Sequence, residues 1–451
     1  MNIIPFVHES LGNSSYLVGF GDHSAALVDP DRNVQRYLEA ASANSWRITH
    51  VFETHLHADF VTGSLEARRA TGAELFVPEG SQVRYPHRPV APGDAWPVPF
   101  GRVESIPSAG HTPEHTSYVL HAPGAASALF SGGSLLVAGA ARTDLISPEA
   151  TDALTRAQYR SITTAFRGLP DETLLLPTHG GGSFCSTGAG GERTSTLGHV
   201  RRTNPLLGES SEDAFARTFP ASFPAAPSYF YRLRAVNQAG PALRSSIAEP
   251  PYLAPGDFDT RRASAVVIDV RPQADFMAGH IPGAVSNTLR DAFSTWLGWV
   301  IPADQELLFV LGDEPLADVI DACLLVGYER FAGVLEGGMS AWVVSGREVA
   351  RDTLADASES RRALAAGALA LDVREPNEFA EGHLPGALNI PLGELQQRVQ
   401  ELPRNRPIVT YCGHGERSAT GLSLLRREGF GPLTNLNGGT GAWKAAELPI
   451  E

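Results

Sequence analysis

Apolar residues along the chain fall into short runs and longer ones. The short β-branched runs Ala265-Val-Val-Ile-Asp-Val270 and Leu369-Ala-Leu-Asp-Val373, with residues 307–311 and 408–411, predict buried strands. Runs at 316–326 and 418–428 predict helices. Strands alternating with helices imply parallel sheets covered on both faces. Nearer the N-terminus, residues 15–20 and 25–29 read as hairpin strands around Gly21-Asp22, followed by an amphipathic stretch at 34–43 and a strand at 48–52. The whole chain therefore reads as multidomain α/β.

A duplication organises the C-terminal half. Asp269-Val-Arg-Pro-Gln-Ala-Asp-Phe-Met-Ala-Gly-His-Ile-Pro-Gly-Ala284 recurs as Asp372-Val-Arg-Glu-Pro-Asn-Glu-Phe-Ala-Glu-Gly-His-Leu-Pro-Gly-Ala387, an offset of 103 residues. Each copy later carries Gly-Gly-x-x-Ala-Trp, at Gly337–Trp342 and Gly438–Trp443. So long a period marks a tandem pair of domains, since solenoid repeats run to about 20–50 residues. The Pro-rich piece Glu249-Pro-Pro-Tyr-Leu-Ala-Pro-Gly256 reads as an extended linker. The expected domains are 1–248, 257–351 and 358–451.

Composition narrows the partners. The 451 residues are 43% hydrophobic and 19% charged, enough to bury sizeable cores. A net charge of −14 without a basic run argues against nucleic acid. The N-terminal MNIIPFVHES has neither a basic n-region nor an apolar h-region, and no stretch approaches the roughly 18 apolar residues of a membrane span. A cytoplasmic protein without membrane partners is expected, and a homo-oligomer is compatible with the pattern. Three scattered cysteines, Cys185, Cys323 and Cys412, suit a reducing compartment and point to thiol chemistry.

Cys412 follows the strand at 408–411 in Cys412-Gly413-His414-Gly415-Glu416-Arg417-Ser418, which leads into a helix. A helix N-terminus and a nearby guanidinium favour a thiolate, so Cys412 reads as a nucleophile and Arg417 as its fixed charge. Gly413, His414, Gly415, Glu416 and Ser418 would form an anion-holding loop of inward N–H groups. With the Asp-x-Arg opening, Gly-His-Leu-Pro-Gly-Ala and Gly-Gly-x-x-Ala-Trp, residues 358–451 resemble a rhodanese sulfurtransferase domain. The resemblance implies a cysteine that takes sulfane sulfur from thiosulfate or a persulfide and passes it to a thiol. Related dual-specificity phosphatases have one more loop residue, so the short loop argues for sulfur. The first copy reads Phe309-Val-Leu-Gly-Asp-Glu-Pro-Leu316 there, without cysteine or arginine, and is expected to be a degenerate copy acting as spacer or docking surface. Cys323 reads as core. Asp269, Arg271, Asp372 and Arg374 read as structural ion pairs, and His280 and His383 as turn-stabilising.

Eleven of the 14 histidines precede the tandem pair. Glu53-Thr-His55-Leu-His57-Ala-Asp59-Phe60, Ala109-Gly-His111-Thr-Pro-Glu-His115 and Leu176-Pro-Thr-His179-Gly each set histidine on a loop after an apolar run. Imidazoles so placed can converge on zinc or iron. Together they resemble the metallo-β-lactamase fold, an αββα sandwich, and 141–145, 179–185 and 195–205 resemble its persulfide dioxygenase branch. That branch oxidises glutathione persulfide or a similar small persulfide with O2, giving sulfite at Fe(II) held by two histidines and an aspartate. Here the resemblance makes His55 and His111 ligands, but the aspartate position is Gly133 in Phe130-Ser-Gly-Gly-Ser134, and Phe60 replaces a second-site histidine.

Three readings stay open. His57 completes a three-histidine site with His55 and His111, an altered site uses Asp59 and His179, or the domain holds no metal and its histidines are hydrogen-bonded remnants. Restoring a carboxylate by Gly133→Asp would improve iron binding if Gly133 is the sole lesion. Arg142 and Asp144 lie in a segment that borders the substrate channel in relatives, suggesting a thiol-substrate role. His115, Cys185 and His199 read as surface or packing residues. The functional expectation is sulfur transfer through a Cys412 persulfide, joined to a domain that is a persulfide dioxygenase or a non-catalytic persulfide-binding scaffold. Zinc-dependent hydrolysis ranks lower, because the bridging-aspartate and second-site histidine positions are both substituted.

Overall fold

A computed structural model describes residues 2–99, 101–186, 191–209 and 211–451. The chain divides into two compact units, Met1–Ile247 with Leu324–Gly327, and Ala248–Cys323 with Tyr328–Glu451.

The first unit is built on two six-stranded sheets. One runs Asn2–His8, Asn13–Gly19, Ser24–Val28, Arg47–Phe52, Glu74–Pro78 and Arg88–Val90 in order; the first two joins are antiparallel and the rest parallel. The other runs Ser195–Thr196, Leu174–Pro177, Ala128–Gly132, Thr116–His121, Gly101–Pro107 and Ala95–Val98. Successive side chains of a strand face opposite ways. Tyr16 and Val18 therefore join Phe52, Phe76, Trp96, Tyr118 and Phe130 between the sheets, while Leu17 and Leu27 pack outward with Tyr37 and Ala41 of the helix Gln35–Ala43. Val119, Leu129 and Leu175 of the second sheet pack outward with Val200 and Phe215 from the helices Leu197–Thr203 and Glu212–Thr218. Burial on both faces explains why these strands read as continuous apolar runs. The result is the expected αββα sandwich. Phe52, its ring 4.7 Å from that of Phe76 and 5.0 Å from that of Tyr118, packs between the sheets, and truncating it to alanine should cost about 3–5 kcal/mol.

The second unit holds two five-stranded sheets with one topology. The first orders Tyr252–Leu253, Phe331–Leu335, Leu307–Val310, Val266–Asp269 and Val285–Ser286; the second orders Thr353–Ala355, Leu433–Leu436, Ile408–Tyr411, Leu369–Asp372 and Leu388–Asn389. Every join is parallel. The piece read as a linker is in part structural: Tyr252 pairs with Val334 at the sheet edge, and Pro255 begins the helix Pro255–Arg261. Proline suits both places, an edge register and a helix start, where no N–H is required.

The shared motifs do matching work in both copies. Asp269 and Arg271 pair at 2.6 Å, as do Asp372 and Arg374, and each arginine also donates to a carbonyl, of Gly279 or Gly382. His280 and His383 bond the Phe276 and Phe379 carbonyls through Nδ1 and stack on those rings at 3.9 and 3.7 Å. These are the structural roles the pattern predicts.

Candidate cysteine loop and histidine cluster

Cys412 stands directly after the strand Ile408–Tyr411, and the helix Glu416–Arg427 begins after Gly415. Gly415 turns the chain at φ +116°, which disfavours any side chain, and donates its N–H to Cys412 Sγ at 3.1 Å. Ser418 Oγ lies 3.6 Å from Sγ and 2.9 Å from the Gly415 carbonyl, so its proton can serve either. Cys412 is 1% exposed and sits at the base of the loop, beneath the half-buried Gly413 and exposed His414. Glu416, half-buried, opens the helix, whose N-terminus adds positive potential near the sulfur.

Residues distant in sequence complete this loop. Thr440 and Gly441 donate N–H groups to the carbonyls of Cys412 and Gly413 at 2.8 and 3.2 Å. A Cβ at Gly439 would lie 2.2 Å from the Cys412 carbonyl oxygen, so the second Gly-Gly motif lets two backbones touch. Arg417 is paired in two-pronged fashion with Glu378, both contacts 2.7 Å. Burial opposes the Glu378 charge, yet Arg417 holds its carboxyl below the usual range. Burial pushes Glu375 up to about 7 against the pull of Arg417, with Glu378 and Glu394 adding repulsion. The first copy also contributes: Gln273 accepts from Asn435 Nδ2 at 3.0 Å and packs against Gly415, and Trp296 lies 5.9 Å beneath the Arg417 guanidinium. Sequence reasoning missed Glu378, Gln273 and Trp296; nothing local marks them.

At the matching place in the first copy stands Leu311, just past Leu307–Val310. There Gly312 N–H donates to Glu314 Oε2 at 2.7 Å. Cys323 is fully buried in its helix, and burial alone lifts its thiol well above the ordinary value.

In the first unit the predicted histidines meet at the strand ends. His55, His57, Asp59, His111 and His179 are all 0–1% exposed. The rings of His55 and His111 lie 4.8 Å apart, those of His111 and His179 5.2 Å, and His55 Nε2 is 3.2 Å from His179 Nε2. Burial, then neighbouring imidazoles, holds His55 well below its usual pKa and His111 at about 3. His57 faces elsewhere: its Nε2 is 3.1 Å from Glu53 and 3.3 Å from Asp29. Burial opposes charge there, but the two carboxylates raise His57 to about 10. Phe60 stacks on its ring at 4.3 Å. Asp59 lies behind His179, 3.3 Å from Nδ1.

The remaining candidates are occupied. His115 accepts from the Gly133 N–H at 2.9 Å and bonds Ser108 Oγ at 2.9 Å. Arg142 and Asp144 pair with each other at 2.7 and 2.8 Å, and Arg142 donates to the Phe184 carbonyl. Cys185 is buried, and burial with the Asp59 carboxylate lifts its thiol well above the usual value. His199 is on the surface. Gly133 differs from a simple missing ligand: a Cβ there would lie 2.6 Å from His111 Cδ2 and 3.0 Å from Ala141 Cβ. Gly133→Asp would therefore require the His111 ring to shift.

The metallo-beta-lactamase superfamily model matches residues 10–179, and the rhodanese-like domain model matches residues 255–345 and 354–446. A sulfurtransferase of Allochromatium vinosum is 40% identical over 82 residues, 18% of this chain and 77% of that protein. The chain belongs to the rhodanese-like family. Its rhodanese-like half follows a metallo-β-lactamase domain, which is similar to a hydroxyacylglutathione hydrolase of Erythrobacter litoralis, 32% identical over 157 residues, 35% of this chain and 57% of that protein. The solved structure of a metallo-beta-lactamase from Staphylococcus aureus aligns with TM-score 0.65 and 27% identity over 74% of this chain and 98% of that one. That share exceeds the N-terminal unit, so the likeness extends into the rhodanese-like half.

Proposed function

We propose that the protein transfers sulfane sulfur through a persulfide on Cys412. The observation that carries this reading is the Gly415 N–H directed at Sγ from 3.1 Å at the start of a helix, with Arg417 in that helix's first turn. The Cys412 thiolate attacks the outer sulfur of thiosulfate, forming an S–S bond as the old S–S bond breaks and sulfite leaves with the electron pair. Loop amides and the Arg417 cation favour the anions on either side of that step. A small thiol, as its thiolate, then takes the terminal sulfur, returning Cys412 to thiolate and leaving a low-molecular-weight persulfide. Cys412→Ser in the full chain should abolish thiosulfate:thiol sulfurtransfer; undiminished turnover would refute the reading.

A second reading joins the two halves in one sulfur pathway: the N-terminal domain oxidises a small persulfide such as glutathione persulfide. It is supported by buried imidazoles converging at the strand ends, a donor set that suits iron or zinc. Ferrous iron held there would supply oxygen activation; the chain's part is to hold the ion and exclude bulk water with the buried walls of the cluster. Oxygen uptake on glutathione persulfide by iron-loaded protein tests it against a non-catalytic scaffold, and its absence would leave the scaffold reading.

A further inference from the structure

The geometry points to a mononuclear site in which the Nε2 atoms of His55, His111 and His179 hold one divalent transition-metal ion without any carboxylate ligand. This set differs from both sets legible in the sequence, His55 with His57 and His111, and Asp59 with His179. It is independent of the sulfur-transfer reading.

Hydrogen-bond bookkeeping fixes all three tautomers. Thr54 Oγ1 gives its only proton to Asp29 Oδ2 at 2.6 Å, so toward His55 Nδ1, 2.9 Å away, it can only accept. The Arg142 carbonyl accepts from His111 Nδ1 at 2.6 Å. Asn13 Nδ2 donates to Asp59 Oδ2 at 2.8 Å, which turns Asn13 Oδ1 to accept from His179 Nδ1 at 3.0 Å. Each ring thus carries its proton on Nδ1 and presents a bare lone pair on Nε2. Three lone pairs then face one another in a dry place.

Without a cation that arrangement is unfavourable. His55 Nε2 and His179 Nε2, both acceptors, stand 3.2 Å apart, and the donor atoms of the three histidines lie within 4.8 Å of one another. Two nitrogens at about 2.1 Å from a shared ion lie about 3–3.4 Å apart, which the His55–His179 pair matches. The outer oxygens are the partners that orient metal-bound imidazoles.

The nearby carboxylates have partners of their own, although Asp59 keeps one buried oxygen without a hydrogen bond and groups with His57 and His179. Asp29 accepts from Thr54 N–H at 2.7 Å and from the Thr54 and Thr178 hydroxyls. Asp59 holds Asn13 and stands behind His179. His57 turns Nε2 toward Glu53 and Asp29 and leaves its buried Nδ1 without a hydrogen bond, so the His57→Asn variant is the one that separates it from the proposed set; a Cβ on Gly133 would lie 2.6 Å from His111 Cδ2. The backbone reason that His179 joins the pair is the Asn13–His179 bridge, flanked by the bonds Ser14 N–H to Thr178 O and Gly180 N–H to Gly12 O at 2.7 and 2.9 Å.

Cobalt(II) added anaerobically to the metal-stripped full chain is the probe, read by metal stoichiometry and by ligand-field absorption. The expected result is one cobalt per chain, with affinity at least tenfold weaker in His179→Gln and His111→Gln, unchanged within about twofold in His57→Asn, and about 10–100-fold weaker in Asn13→Ala. X-ray absorption of the wild-type cobalt protein should count three imidazoles, a reading that needs no variant to fold. Loss of the ion in His57→Asn, its retention in a folded His179→Gln, a carboxylate-rich shell, or no stoichiometric cobalt in wild type would each overturn the assignment.

Discussion

The two rhodanese-like copies share sheet order, buried Asp–Arg pair, stacked histidine and Gly-Gly turn, yet differ at one loop. In the second, Gly415 aims its N–H at the Cys412 sulfur; in the first, Leu311 replaces the cysteine and Glu314 stands at the Gly415 position, its carboxylate accepting from the Gly312 N–H. The Gly-Gly motif approaches the same backbone place in both, since a Cβ on Gly338 would lie 2.9 Å from the Leu311 carbonyl and one on Gly439 2.2 Å from that of Cys412. The framework is thus separable from the chemistry. The first copy lends side chains to the other's loop, Gln273 against Gly415 and Trp296 beneath Arg417.

The sharpest way to break this contrast is to erase it. Cys412→Ser should lower thiosulfate:thiol transfer by more than about 10³-fold, and adding Leu311→Cys to that variant should restore nothing, because the first loop has Leu316 where the second has Arg417 and an acidic Glu314 where the second has Gly415. Recovery measured in the double variant would show that the framework alone suffices. Next, Arg417→Ala should lower kcat/KM by about 10²–10³-fold, the cost of removing a cation preset toward developing charge; a much smaller loss would mean that Glu378, not the substrate, claims the guanidinium. Third, Gln273→Ala should weaken transfer about fivefold, the worth of one hydrogen bond, while the unfolding midpoint stays nearly unchanged. An unaffected rate would reduce the first copy to a spacer.

The smallest effect is in pH dependence. Glu375 ionises near 7 in the folded protein against an ordinary 4.5. Between those values the folded state binds the extra proton, so its contribution to stability falls as pH rises from about 4.5 to about 7. Above that range the new charge also sits near Arg417 and competes with a dianionic donor. Glu375→Gln should flatten both the denaturation midpoint and the thiosulfate KM across this window; an unchanged slope would place the titration elsewhere.

Where chemistry is carried by neighbours in sequence, it was legible in advance. Cys412, the loop glycines and the helix that follows lie on one short segment, and backbone preference alone turns strand into loop into helix. The duplication, the ion pairs and the stacked histidines were equally readable, because each motif is local and appears twice. The histidines could be listed but not sorted: His57, two residues from His55, turns to Glu53 and Asp29, while His179 arrives from 124 residues away. Pairing of Asn13 with His179 decides that choice, and sheet register has no local signature. Glu378 and Gln273 reach the sulfur loop the same way, across strands and between copies. Sequence by itself determined which reactive groups exist and how each short segment bends; tertiary structure alone decided which of them share a pocket, since convergence of distant strand ends depends on how whole sheets pack.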